Sequence, residues 1–160
     1  MSTSSEVEML RIEGLMMTIN IRKYNPQLLS RPGILYCGRG KTKNLMEIGL
    51  GNPFSHQSNS HAPFFVKTRK ESIICYKKWL YKLLKSHWSN TVDSLLDWER
   101  TYLERVLKLA EDIATGRVTD LVCFCLEYLD YKHKRGMKAV CHVQILYAFC
   151  LVVQRRDRLF

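Results

Sequence analysis

Between Met17 and Arg22 apolar and polar residues alternate, with Met17, Ile19 and Ile21 on one side and Thr18, Asn20 and Arg22 on the other. This period of two, rich in β-branched residues, predicts a strand. Ile34-Leu35-Tyr36-Cys37 predicts a second, short strand, stopped by Gly38-Arg39-Gly40, and Asn25-Pro26 and Arg31-Pro32-Gly33 punctuate the loop between the two. Residues 41–63 hold Gly, Asn, Ser, His and two prolines and predict a long irregular loop, a kind that is usually functional or mobile. The period then changes. Over Arg69–His87, residues Ile73, Tyr76, Leu80, Leu83, Leu84 and His87 share one helical face, and Lys78, Lys82 and Lys85 lie opposite, with Lys70 and Lys77 on the flank. Thr68 and Glu71 have the spacing of a capping box. A second helix is expected from about Val92 to Ala114, on the stripe Val92, Leu95, Leu96, Tyr102, Leu103, Val106, Leu107, Ala110 and Ile113. Asn90 or Thr91 would cap it and Gly116 would end it.

Leu121-Val122-Cys123-Phe124-Cys125 is continuously apolar, as in a strand buried on both faces of a helix-flanked sheet. Residues 126–138 are mostly polar and basic and predict a loop, whereas Ala139–Val153 is apolar almost all round and predicts a core helix. The order strand, strand, helix, helix, strand, helix predicts a small three-layer α/β domain with a short mixed or parallel sheet and flanking helices. At 160 residues one domain is expected over 11–160, behind a polar, disordered N-terminus over 1–10.

Charge alters this picture. The chain carries a net charge of +10, and residues 14–88 hold 13 Lys/Arg against 2 Asp/Glu, so the excess belongs to the N-terminal half. Such a field attracts phosphates, nucleic acids and acidic surfaces, or serves solubility alone. No apolar run reaches about 18 residues, so no membrane partner is expected. Met1–Leu10 lacks the basic and apolar regions of a signal peptide, which predicts a cytoplasmic location and six cysteines kept as thiols.

Three sets of residues could carry chemistry. Gly38-Arg39-Gly40 directly follows a strand, where backbone N–H groups and a guanidinium can grip an anion, or where Arg39 simply tops a tight turn. Gly51-Asn52-Pro53-Phe54 fixes a turn in which Asn52 orients a ligand or caps its own backbone. Cys123, Cys125, Cys141 and His142 form a Cys₃His set compatible with tetrahedral zinc, although Cys-x-Cys on an extended strand is an unusual spacing. Buried core thiols or a reactive thiolate at a helix start fit the same residues. Cys75 and Cys150 read as small core residues, His56 and His61 as solvated loop residues, and Trp79, Trp88 and Trp98 as core or interface.

The ordered motifs Asn20-Ile21-Arg22, Tyr36-Cys37-Gly38-Arg39-Gly40, Gly51-Asn52-Pro53-Phe54, Thr68-Arg69 with Tyr76-Lys77-Lys78-Trp79-Leu80, Leu121-Val122-Cys123-Phe124-Cys125 and Cys141-His142 resemble a phage and bacterial family catalogued as domain of unknown function 4326. The resemblance spans residues 17–150 and implies a phage or bacterial setting, with the host cytoplasm as location if viral, and no established activity. This sequence departs from the family's pattern by insertions near 41–50 and 126–138, the latter replacing a short Pro-containing link.

The expected function is binding of a phosphate-bearing ligand, a nucleotide or nucleic acid, through Gly38, Arg39, Gly40, Asn52, Cys125 and His142. These would converge at one sheet edge if the strands Ile34–Cys37 and Leu121–Cys125 are parallel neighbours. The alternative is a structural or interaction module stabilised by zinc.

Overall fold

Strand β5 (Asp120–Cys123) is buried along its whole length and pairs on both edges, as the apolar run starting at Leu121 predicts. The computed structural model describes residues 19–38, 44–56, 62–123, 130–132 and 141–159. Two compact units divide the chain, one made of Met1–Tyr36 with Leu107–Phe160 and the other of Cys37–Val106.

In the first unit a mixed sheet runs in the order β2-β5-β1-β6, where β1 is Asn20–Lys23, β2 is Ile34–Tyr36 and β6 is Asp130–Lys132. Strands β1 and β2 both lie parallel to β5, with Asn20 and Ile34 in register with Asp120, so β2 and β5 meet the condition of being parallel neighbours. Met17 and Thr18 of the expected first strand lie outside the described residues. Strand β6 runs antiparallel to β1 and falls where a loop was expected. Asp-Tyr-Lys has too few apolar residues to show a period, and its backbone pairing at the sheet edge makes the strand. Helix α3 (His142–Leu159) supplies the core, with Val143–Tyr147 and Phe149–Gln154 all buried. Gln154 within it donates from Nε2 to the Ala110 carbonyl.

The sheet's open end is tied by Asp120. Its carboxylate accepts from Arg22 Nε on β1 and from the Thr119 hydroxyl. Burial works against ionisation there, but these hydrogen bonds and the Arg22 charge win and hold the carboxyl below its ordinary value of 3.8. One carbonyl, that of Gly33, accepts from both Thr119 N and Asp120 N. Gly33 has φ +82, and a Cβ there would stand 2.7 Å from Thr119 Oγ1.

The second unit joins α1 (Arg69–Trp88) to the two-residue parallel strands β3 (Phe54–Ser55) and β4 (Phe64–Phe65) and to the start of α2 (Asp97–Ala114). Thr68 caps α1 by accepting from Glu71 N, and Glu71 reaches back to Lys67 N. Tyr76, Trp79, Leu80, Leu83 and Leu84 are buried, as the periodicity predicts for all but Trp79, while Ile73, Cys75 and His87 are half-buried. Trp79 stacks on Trp98 at 5.2 Å between ring centroids and donates from Nε1 to the buried Glu99.

The second helix begins later than expected. Val92–Ser94 is a single 3-10 turn, closed by Ser94 Oγ on the Thr91 carbonyl, and Leu95 is extended. Glu99 then accepts from Leu96 N, which starts α2 two residues past a point the apolar stripe runs straight through. Leu95 is buried but Leu96, placed in the stripe, is exposed. Leu109, outside that stripe, is buried.

Two substitutions test this frame. Gly33→Ala should cost about 1–3 kcal/mol, from a positive φ and the Thr119 contact together, read as a lowered midpoint in urea unfolding. Asp120→Asn should cost about 2 kcal/mol at neutral pH. Because the folded pKa is depressed, the stability that Asp120 contributes is complete above pH 3.8 and is lost as pH falls through the lower folded value. The gap between wild type and Asp120→Asn should therefore close as the pH of the unfolding series falls below about 4.

Candidate metal centre

Cys123 is the last residue of β5, and Cys141 immediately precedes α3, whose first residue is His142. The chain returns so that Cys123 Sγ and Cys141 Sγ are 2.8 Å apart and Cys141 Sγ is 3.8 Å from His142 Nδ1. The donor atoms of all three residues lie within 4.8 Å of one another, and all three are buried.

The start of α3 explains why Cys141 is available. Cys141 occupies the N-cap position, and Gln144 N donates to its carbonyl. Gln144 Oε1 accepts in return from Cys141 N, the back-reaching half of a capping box. A Ser or Thr at the N-cap would turn its side chain onto the helix's own N–H groups. Cys141 instead faces another thiol and an imidazole. The positive end of the helix dipole favours negative charge at this point, which suits a thiolate. Sequence reasoning missed Gln144, although Cys-His-x-Gln has capping-box spacing with Cys in place of Ser or Thr.

This donor set can hold a metal ion. Zinc binds thiolate and imidazole in a tetrahedron with Zn–S about 2.3 Å and Zn–N about 2.0–2.1 Å, which sets neighbouring donor atoms roughly 3.5–3.8 Å apart. The Cys141–His142 separation already has that value, and the two sulfurs need to open by about 1 Å. None of the five described cysteines is in a disulfide. Cys150 is fully buried in α3, where desolvation alone pushes its thiol well above the ordinary range.

The structure thus brings together Cys123, Cys141 and His142 from the four residues grouped on sequence. Cys125 lies outside the described residues, as do Arg39, Gly40 and His61. Gly38 belongs to the other unit, and the positive-φ glycines among the described residues are Gly33, Gly49 and Gly116, so Gly38 and Gly51 do not use the left-handed backbone.

Asn52, also in the other unit, is buried and engaged. Its Oδ1 accepts from Phe54 N and its Nδ2 donates to Ser72 Oγ, which donates on to the Phe54 carbonyl. The described part of the expected irregular loop, residues 44–56, is accordingly fastened rather than open. Arg105 donates to the Met46 and Gly49 carbonyls, and Tyr102 to that of Leu50. No sequence period announces these bonds, because they join side chains of α2 to loop carbonyls.

No family model matches the chain, and neither a curated protein nor a solved structure is significantly similar to it.

Asn52→Ala should destabilise the protein by about 2–3 kcal/mol, since it strands a buried hydroxyl and a backbone N–H. Its metal content should equal that of wild type, measured on the same preparation.

Proposed function

We propose that this protein is a small interaction module whose sheet unit is closed by a structural zinc ion held by Cys123, Cys141 and His142. The observation that carries this reading is the approach of two buried thiols and an imidazole at the junction of β5 and α3. With both thiols and the ring engaged as ligands, the chemistry of the cluster is fastening. The ion ties the end of the central strand to the start of the core helix. Three donors leave one tetrahedral position, for which the Cys123-Phe124-Cys125 pattern nominates Cys125. Zinc is favoured over harder cations because sulfur and nitrogen donors select it, and over copper or iron because a buried, closed site suits an ion with no redox chemistry.

Protein purified under reducing conditions without chelator should contain about one equivalent of zinc by elemental analysis. Cys123→Ser and Cys141→Ser should each lose the metal and lower the melting temperature, and Cys75→Ser should do neither. A strong chelator should reproduce the loss of thermal stability in wild type, because binding free energy in such sites is folding free energy. Zinc below about 0.2 equivalents would contradict the reading.

A further inference from the structure

Helix α1 turns one face inward and presents a lysine-rich face outward. Lys70, Ile74, Lys78, Tyr81 and Lys85 fall within an arc of about 80° and run about 22 Å along the helix. Lys70, Lys78 and Lys85 are exposed, Ile74 is 41% exposed and Tyr81 is half-buried. The helix carries six basic residues against one acid, Glu71, whose carboxylate is occupied at the Lys67 N–H. At the edge of the stripe, Lys82 pairs with Glu99.

Tyr81 sets this stripe apart from a plain solvated face. It stands one helical turn from Lys77 and Lys78 on one side and Lys85 on the other, the i±3 and i±4 positions that meet on a helix surface. Its ring contacts no other described aromatic ring, unlike those of Tyr76, Trp79, Trp98 and Tyr102, which pack with one another. A flat ring flanked by lysines is the arrangement that binds single-stranded nucleic acid, with phosphates along the cations and a base on the ring.

We propose that this outer face of α1 binds single-stranded nucleic acid, with Lys70, Lys78 and Lys85 on phosphates spaced along the backbone and Tyr81 stacking on a base. The proposal is independent of the metal centre, which lies in the other unit. A duplex is less well suited, because its bases present edges and keep their faces stacked. An anionic membrane would need an apolar face to insert, and that face of α1 is buried in the core. An acidic peptide would use the lysines but leave the ring without a role.

The test uses the full-length protein and a fluorescein-labelled oligodeoxythymidylate of about 15 nucleotides, with anisotropy read across roughly 50–200 mM salt. Binding should weaken with salt at a log–log slope near −2, about −0.7 for each of three phosphates neutralised. Lys70→Glu, Lys78→Glu and Lys85→Glu combined should abolish it. Tyr81→Leu should weaken it roughly 5- to 150-fold, while Tyr81→Phe, which keeps the ring, should stay close to wild type. Lys70, Lys78 and Lys85 are exposed and Tyr81 is half-buried, so melting temperatures close to wild type should confirm that the variants are folded. Failure to bind, binding unchanged by the triple substitution or by Tyr81→Leu, or equally tight binding of a hairpin duplex, polyglutamate or anionic vesicles would overturn the proposal. Zinc content is read separately, so loss of either property leaves the other measurable.

Discussion

Strand β5 is hydrogen-bonded to a neighbour on each edge and buried along its whole length, so neither of its ends is free to choose its position. At one end Asp120 must stay ionised inside the protein, which it does by facing Arg22 and Thr119. At the other, the Cys123 backbone carbonyl accepts from Tyr24 N, and the thiol is left buried at the strand's end. The start of α3 meets it there. Gln144 Oε1 accepts from Cys141 N and Gln144 N donates to the Cys141 carbonyl, while the Cys141 sulfur faces Cys123 and His142. The cluster is thus a consequence of a fully paired strand meeting a helix whose N-cap is a cysteine.

The second unit is organised by a different kind of constraint. Its loop carbonyls between Met46 and Leu50 are met by Arg105 and Tyr102, and Tyr102 shares its hydroxyl with Tyr76. The buried Glu99 gathers Leu96 N, the Trp79 indole and Lys82. Burial opposes its charge, yet these donors hold its carboxyl below the ordinary 4.5. These polar groups inside the unit are satisfied by one another, while Lys70, Lys78 and Lys85 on the outer face of α1 stand exposed to solvent.

Much of this was legible in the sequence wherever a period or a local spacing carries the information. The buried faces of α1 and α3 and the Thr68 cap follow from such patterns, whereas the parallel pairing of β2 with β5 was only a condition there and is supplied by the sheet. What escaped them arises from pairing between distant segments. Strand β6 has no apolar period because β1 makes it, and the break before α2 comes from Ser94 and Glu99 side chains competing with the stripe. The grouping of Cys123, Cys141 and His142 was legible as residue types, whereas the role of Gln144 required seeing that Cys141 is an N-cap. Asn52 carried two readings in the sequence, and the one the structure displays is the bonding of its own turn and of Ser72.

The zinc reading requires that two sulfurs and one imidazole nitrogen share an ion at the end of β5, and X-ray absorption at the zinc edge of the purified protein reads that shell directly. The spectrum should show at least two sulfur scatterers at about 2.3 Å together with nitrogen from an imidazole at about 2.0–2.1 Å. A shell of oxygen and nitrogen alone, or a sulfur signal that persists unchanged in Cys141→Ser, would contradict it.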